Sequence, residues 1–335
     1  MENGRRRFIA QSTLLVAGVF MPRSLAARIL APHSLPAGDL MPRSLAGEDL
    51  ISPSLIAKDL RSPSPAGMWK EPRYRISVCD WMILKRQKLG AFQLTKEIGA
   101  DGLELDMGGL GDRPAFDNKL RDAATRQQFL DKAKELNIAI SSIAMSGFYA
   151  QSFAERPETS DLVQDCIDTM VAMKVKIAFL PLGVKGDLVQ HPELRPQIIQ
   201  RLKETGAKAK KAGVIIGIET ALSAAEEVKL LDEINSKHIQ SYFNFSNAIK
   251  EGRDLQQELI TLGRHRICQI HCTNTDGVWL ENDPKINMPA VKKTLDDMGW
   301  SGWLVIERSR DANDPKNVKK NFSANAAYLK SIFHA

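Results

Sequence analysis

The sequence predicts an α/β protein whose main body is a single (β/α)8 TIM barrel. Three observations predict it. From residue 74 onward, short apolar runs alternate with stretches whose apolar residues recur at three and four spacing. The runs are dense in β-branched residues, as strands covered on both faces must be, and such strands belong to parallel sheets. Eight such strand and helix pairs fit within about 265 residues, close to the roughly 250 of one barrel. A doubly wound open sheet would need fewer strands and a Gly-rich phosphate turn after the first of them. Gly108-Gly109-Leu110-Gly111 lacks that GxGxxG spacing and reads as a turn.

Taken in order, residues 1–26 read as an address. Arg5-Arg6-Arg7-Phe8-Ile9 precedes an uncharged stretch from Leu14 to Met21 and a small-x-small site at Ser24-Leu25-Ala26. This resembles a twin-arginine export signal and predicts a periplasmic or exported protein, with a cytoplasmic one as the alternative. The apolar stretch is too short for a spanning helix of about 20 residues, so no stable membrane insertion is expected after cleavage. Residues 27–70 form a low-complexity spacer. Met21-Pro22-Arg23-Ser24-Leu25 and Met41-Pro42-Arg43-Ser44-Leu45 exemplify a motif that recurs every ten residues, with Pro in each unit. A ten-residue unit interrupted by proline is too short for a helix-pair solenoid.

The barrel then occupies residues 71–335. Strands are expected at 75–80, 102–106, 138–144, 175–181, 214–219, 239–244, 267–273 and 304–307, with eight helices between and after them. Helical spacing is seen in Phe129, Ala133 and Leu136, and again in Leu255, Leu259 and Leu262. Gly99, Asn137 and Gly213 follow last turns, where a left-handed residue is wanted.

Charge narrows the function. The net charge is +6, but residues 1–70 carry nine Lys/Arg against five Asp/Glu, leaving 37 against 35 for the rest. A near-neutral folded body argues against a nucleic-acid partner. Cys79, Cys166, Cys268 and Cys272 lie in or beside apolar runs without CxxC spacing, and read as buried free thiols.

Barrel enzymes build their sites at the carboxyl ends of the strands. In the fifth strand, the two-residue period sends Ile216 and Ile218 to one face, Gly217 and Glu219 to the other. The sixth strand ends in Asn244, the seventh reaches His271 and the eighth ends in Glu307. Each residue alone is open to a structural reading, such as a buried ion pair or a cap. At four successive strand ends they form a constellation: two carboxylates, one amide and one imidazole. Oxygen-rich ligation with one nitrogen suits a hard or borderline divalent cation.

These residues carry a resemblance. Gly217-Ile218-Glu219-Thr220, Gln269-Ile270-His271 and Leu304-Val305-Ile306-Glu307 resemble the sugar phosphate isomerase/epimerase family of xylose-isomerase-like barrels. Gly102-Leu103-Glu104-Leu105-Asp106 and the stretch from Ile286 to Trp303 support it, and together they span residues 74–333. The resemblance implies one divalent metal (Mn, Co, Mg or Zn) held by Glu219, Asn244, His271 and Glu307. It also implies that Glu219 and Glu307 double as catalytic acid and base. The family has Asp where this chain has Asn244; an amide oxygen can ligate but brings no charge. The activity implied is isomerisation or epimerisation of a free sugar or keto-sugar through an enediolate. Substrate contacts are expected from Glu104, Lys185, Asn247, Arg310, Trp81 and Trp279, while Trp300 and Trp303 are expected to pack in the barrel wall.

Three alternatives stay open at this level. The same site could act as a lyase or hydrolase of oxidised glycosides, or be a decayed metal site in a non-catalytic sugar-binding protein. An abasic-site endonuclease would need a three-metal, histidine-rich cluster, and the barrel holds only His191, His238, His265, His271 and His334. The sequence is compatible with a homo-oligomer and does not specify one.

Overall fold

The computed structural model describes residues 72–335; the expected export signal and decapeptide spacer lie outside the described residues. Eight parallel strands close into a barrel in chain order. They are β1 (Tyr74–Cys79), β2 (Gly102–Asp106), β3 (Ala139–Ala144), β4 (Ile177–Pro181), β5 (Ile215–Glu219), β6 (Ile239–Asn244), β7 (Ile267–His271) and β8 (Gly302–Ile306). Closure comes from β1 against β8, where Tyr74 pairs with Gly302 and Val78 with Ile306. The outer helices are α1 (Gly90–Ile98), α2 (Ala123–Leu136), α3 (Thr159–Met173), α4 (Arg195–Ala212), α5 (Ala224–Ile234), α7 (Leu255–Leu262), α8 (Met288–Asp297) and α9 (Val318–Phe333). A further helix, α6 (Phe245–Lys250), follows β6 directly. Sequence periodicity does not reveal it, because six residues give too few repeats of a 3.6 period.

Alternation along the strands builds two cores. Ala178, Leu180, Ile216, Ile218, Ile270, Leu304 and Ile306 face the helices and join the large apolar layer. Their neighbours Phe179, Tyr242 and Val305 face inward with Cys79 and Ala144. Gly217 lets Tyr242 fit inside. A Cβ there would lie 3.0 Å from Tyr242 Cβ and 2.5 Å from Cys268 Sγ.

Helix ends follow the signals in the sequence. Asp122 caps α2 by accepting from Thr125 N at 2.7 Å, and Asp254 caps α7 through Gln257 N at 2.8 Å. Gly99, Asn137 and Gly213 take the expected left-handed conformation. Trp300 is buried in the wall, donating its indole N–H to Ile267 O. Trp303 lies half-buried under the Arg75 guanidinium.

Two irregularities set the barrel's interior. Pairing of β2 with β3 shifts between Leu103 and Glu104, so Ser141 is an extra residue in β3. Ser141 then reaches Ser77 (2.7 Å) while Ser142 reaches Glu104 (2.9 Å). The pairing of β6 with β7 shifts between Ser241 and Tyr242, bringing Tyr242 level with Gln269.

Candidate active site

Glu219, Asn244 and His271 each close a strand, and Glu307 directly follows β8. All four are buried and meet at the carboxyl end of the barrel. His271 Nδ1 lies 3.1 Å from Glu219 Oε2 and 3.9 Å from Glu307 Oε2. Asn244 Nδ2 donates to Glu219 Oε2 at 2.8 Å and to Glu307 Oε2 at 3.3 Å. Glu307 is held from behind by Thr273, whose hydroxyl oxygen accepts the backbone N–H of Glu307 and Arg308.

Glu104 does not reach the mouth. The sequence places it against a substrate hydroxyl, but β2 runs on to Asp106, so Glu104 sits one inward step lower, opposite Cys79 and Ser142. Its Oε1 accepts from Ser142 Oγ and Tyr242 OH, both at 2.9 Å. Its Oε2 accepts from His271 Nε2 at 3.1 Å and Cys79 Sγ at 3.3 Å. The Glu104 carboxylate can only accept, so the hydroxyls of Ser142 and Tyr242 donate to it and accept in turn from Gln269 Nε2, whose amide oxygen is left without a partner. The result is a directed hydrogen-bond column ending on the histidine.

Burial by itself would strip the proton from His271. Glu307, Glu104 and Glu219 outweigh it and push the imidazole pKa up to about 10. The Glu307 pKa is raised, by burial first and by Glu219 as well. Burial, Glu104 and Glu307 hold the Cys79 thiol well above its ordinary value, so it stays protonated.

These donors fit a divalent cation on one side of the histidine. Two carboxylates and Nδ1 converge there with the chemistry such an ion takes, and Glu104 behind Nε2 is the carboxylate–histidine support typical of metal sites. Asn244 does not complete the set. The expected ligand atom is its oxygen, but Oδ1 accepts from Ser246 N and Ser246 Oγ, both at 2.9 Å, capping α6. Cys79, Glu104 and His271 also bring three ligating atoms within 4.8 Å of one another. That cluster lies beneath the imidazole, with a neutral thiol and a carboxylate already accepting four bonds, and serves as the site's floor.

The remaining expected residues fall in different places. Asn247 lines a cavity of about 120 Å³ beside Glu219, and its Nδ2 donates to Thr220 O. Trp81 stands half-buried at the mouth, stacked on Phe179 with centroids 6.2 Å apart. Lys185 is exposed in the loop after β4, outside the lining formed by its neighbours Val184 and Asp187. Arg310 is committed to Asp276 through two bonds of 3.0 and 2.6 Å, so it is not a free anion clamp. Trp279 turns to α9, donating to Asn321 Oδ1 and lying under Lys320.

Sequence reasoning missed Tyr149 and Lys250, which line the same cavity. Tyr149, 42% exposed, lines the cavity with Glu219, and its partial burial together with Glu219 and Glu307 pushes its phenol pKa up to about 12. The missed column had a sequence signal: Tyr242 and Gln269 each precede a site residue by two, hence on the same strand face. A larger concavity, about 900 Å³, opens at the amino end of the barrel, around Asp101, Lys134 and Lys330. It is remote from this chemistry.

With the geometry in place, the comparisons decide the family. The profile of the xylose isomerase-like TIM barrel family matches residues 92–332. The chain belongs to that family. Among solved structures it is similar to D-allulose 3-epimerase from Methylomonas sp., with TM-score 0.58 and 14% identity, covering 78% of this chain and 98% of that one. It is similar also to 3-keto-D-glucoside 4-epimerase from E. coli, with TM-score 0.60 and 16% identity over 77% and 99% of the two chains. A sugar phosphate isomerase/epimerase from Parabacteroides distasonis gives TM-score 0.60 and 14% identity over 83% and 98%. At these identities the likeness shows the fold. No curated protein matches this xylose isomerase-like barrel in sequence.

Proposed function

We propose that the chain is a sugar isomerase or epimerase that moves a proton at the carbon beside a carbonyl. One observation carries the reading: two buried carboxylates, Glu219 and Glu307, flank one point at the barrel mouth with His271 between them. The solved sugar epimerases of the same fold support it. Glu219, His271 Nδ1 and Glu307 would hold a divalent cation, which when bound polarises a substrate carbonyl.

The rest follows from the chain's own groups. Glu219 accepts the α-proton, giving an enediolate, and Glu307, across His271 from it, returns a proton drawn from solvent to the neighbouring position or the opposite face. Trp81 and Tyr149 offer ring faces to the sugar. The lining of the cavity beside Glu219 holds Asp187 and one cation, Lys250; Arg310 is already paired, and the charge of Arg308 acts on Glu307. That balance favours an uncharged sugar over a sugar phosphate.

The test is solvent exchange. In D2O, the wild-type protein supplied with Mn²⁺ should incorporate deuterium at the α-carbon of a keto-hexose, read by proton NMR. Glu219→Gln and Glu307→Gln should each abolish it. Undiminished exchange in either variant removes that residue from proton transfer, and no exchange across a panel of ketoses removes the activity.

A further inference from the structure

Asn244 occupies the one place in the site where its chemistry is fixed by its own backbone neighbour. It is the cap of α6, and Ser246 N–H, which can only donate, points at its side chain from 2.9 Å. The atom facing Ser246 is therefore the amide oxygen. The nitrogen then faces the site, where its two N–H groups meet two carboxylate oxygens, on Glu219 and on Glu307. The opposite orientation would set N–H against N–H at Ser246 and oxygen against oxygen at both carboxylates. Every polar atom of the amide is satisfied in one orientation and opposed in the other.

We propose that Asn244 is a positioning residue rather than a metal ligand: a strut that holds Glu219 and Glu307 and fills the fourth ligand place with hydrogen-bond donors. The cation site of this chain is then a three-donor one, Glu219, His271 and Glu307. It lacks the negative charge that a carboxylate at 244 would bring, and holds a divalent ion weakly in the absence of substrate. Those donors also occupy the two carboxylate oxygens nearest His271 Nδ1, so they compete with an ion for the same lone pairs. This inference rests on the cation-assisted reading above.

Calorimetric titration with Mn²⁺ alone tests it, on the wild-type protein, Asn244→Asp and Asn244→Ala. An Asp keeps one oxygen for the cap and turns the other to the ion. Asn244→Asp should therefore bind Mn²⁺ on the order of ten- to a hundredfold more tightly than wild type. Without metal it should melt below wild type, because three carboxylates then converge, and Mn²⁺ should restore it. Asn244→Ala removes both the oxygen and the strut, and should bind Mn²⁺ no more weakly than wild type. A folded Asn244→Ala with tenfold weaker binding would mean that the amide oxygen ligates. An Asn244→Asp that binds no tighter than wild type would mean that position 244 does not limit the ion's affinity, and either result overturns the proposal. If Asn244→Asp binds Mn²⁺ tightly and no ketose exchanges its proton, the isomerase reading fails while the strut stands.

Discussion

Replacing Glu104 by Gln exchanges one carboxylate oxygen for an NH2 group and should disable the histidine above it. Oε1 remains the acceptor, because Ser142 and Tyr242, which accept from Gln269, donate to it. The new NH2 group therefore lands at the Oε2 position, 3.1 Å from His271 Nε2. Two donors then face each other, and the imidazolium, protonated on both nitrogens, relieves this by giving up its Nε2 proton. The proton that remains sits on Nδ1, where a cation would need a lone pair. Removing one partner of a buried charged pair costs about 3 kcal/mol at the low end. For a domain of this size that lowers Tm by about 6–12 °C. Divalent-ion affinity should fall by roughly ten- to a hundredfold. Calorimetry with and without Mn²⁺ reads both effects, and nitrogen-detected NMR of the histidine ring reads the tautomer directly. A Glu104→Gln protein with wild-type Tm, wild-type Mn²⁺ affinity and a proton still on Nε2 would refute the directed column.

Three further outcomes are expected. Gly217→Ala would place a Cβ 2.5 Å from Cys268 Sγ and 3.0 Å from Tyr242 Cβ, and overpacking there should cost about 1–3 kcal/mol in urea unfolding; no change would mean that the interior yields freely. Burial, foremost, lifts the pKa of Glu227 from 4.5 to about 7, and Thr220 Oγ1 donates to it at 2.9 Å. A folded pKa above the unfolded one gives stability that is full below about pH 4.5 and is lost as pH rises through about 7. The loss is about 3 kcal/mol, so urea midpoints should fall from pH 5 to pH 8 in wild type and fall less in Glu227→Gln; parallel slopes would dismiss this group. Arg310→Ala should lose about 1 kcal/mol with the Asp276 pair and leave the KM for an uncharged ketose unchanged, whereas a large rise in KM would return Arg310 to substrate binding.

The strand-end residues were legible because strand period and strand order need no register. Counting back by twos from Glu219, Asn244, His271 and Glu307 places them on one face, and chain order makes their strands neighbours. Glu104 was not legible in the same way. Its depth depends on where β2 ends, and its partners depend on an irregular pairing between β2 and β3. The orientation of Asn244 required knowing that a six-residue helix begins immediately after it. Arg310 reads as a free cation until the loop after β7 brings Asp276 beside it. Trp81 and Trp279 look alike in sequence, yet one stacks on an inward-facing ring and the other on an outer helix.

The column beneath His271 bears on how portable this chemistry is. Gln269, Ser142, Tyr242, Glu104 and His271 come from β7, β3, β6 and β2, and each fixes the next one's proton. Grafting the four mouth residues onto another eight-stranded scaffold would deliver an imidazole free to choose its tautomer. A successful transplant has to carry the buried polar layer and the β2–β3 offset that admits it. Loops around the rim can then be exchanged for new substrates without touching the machinery underneath. In that sense the rim of this protein decides what is held and the floor decides how the imidazole is held.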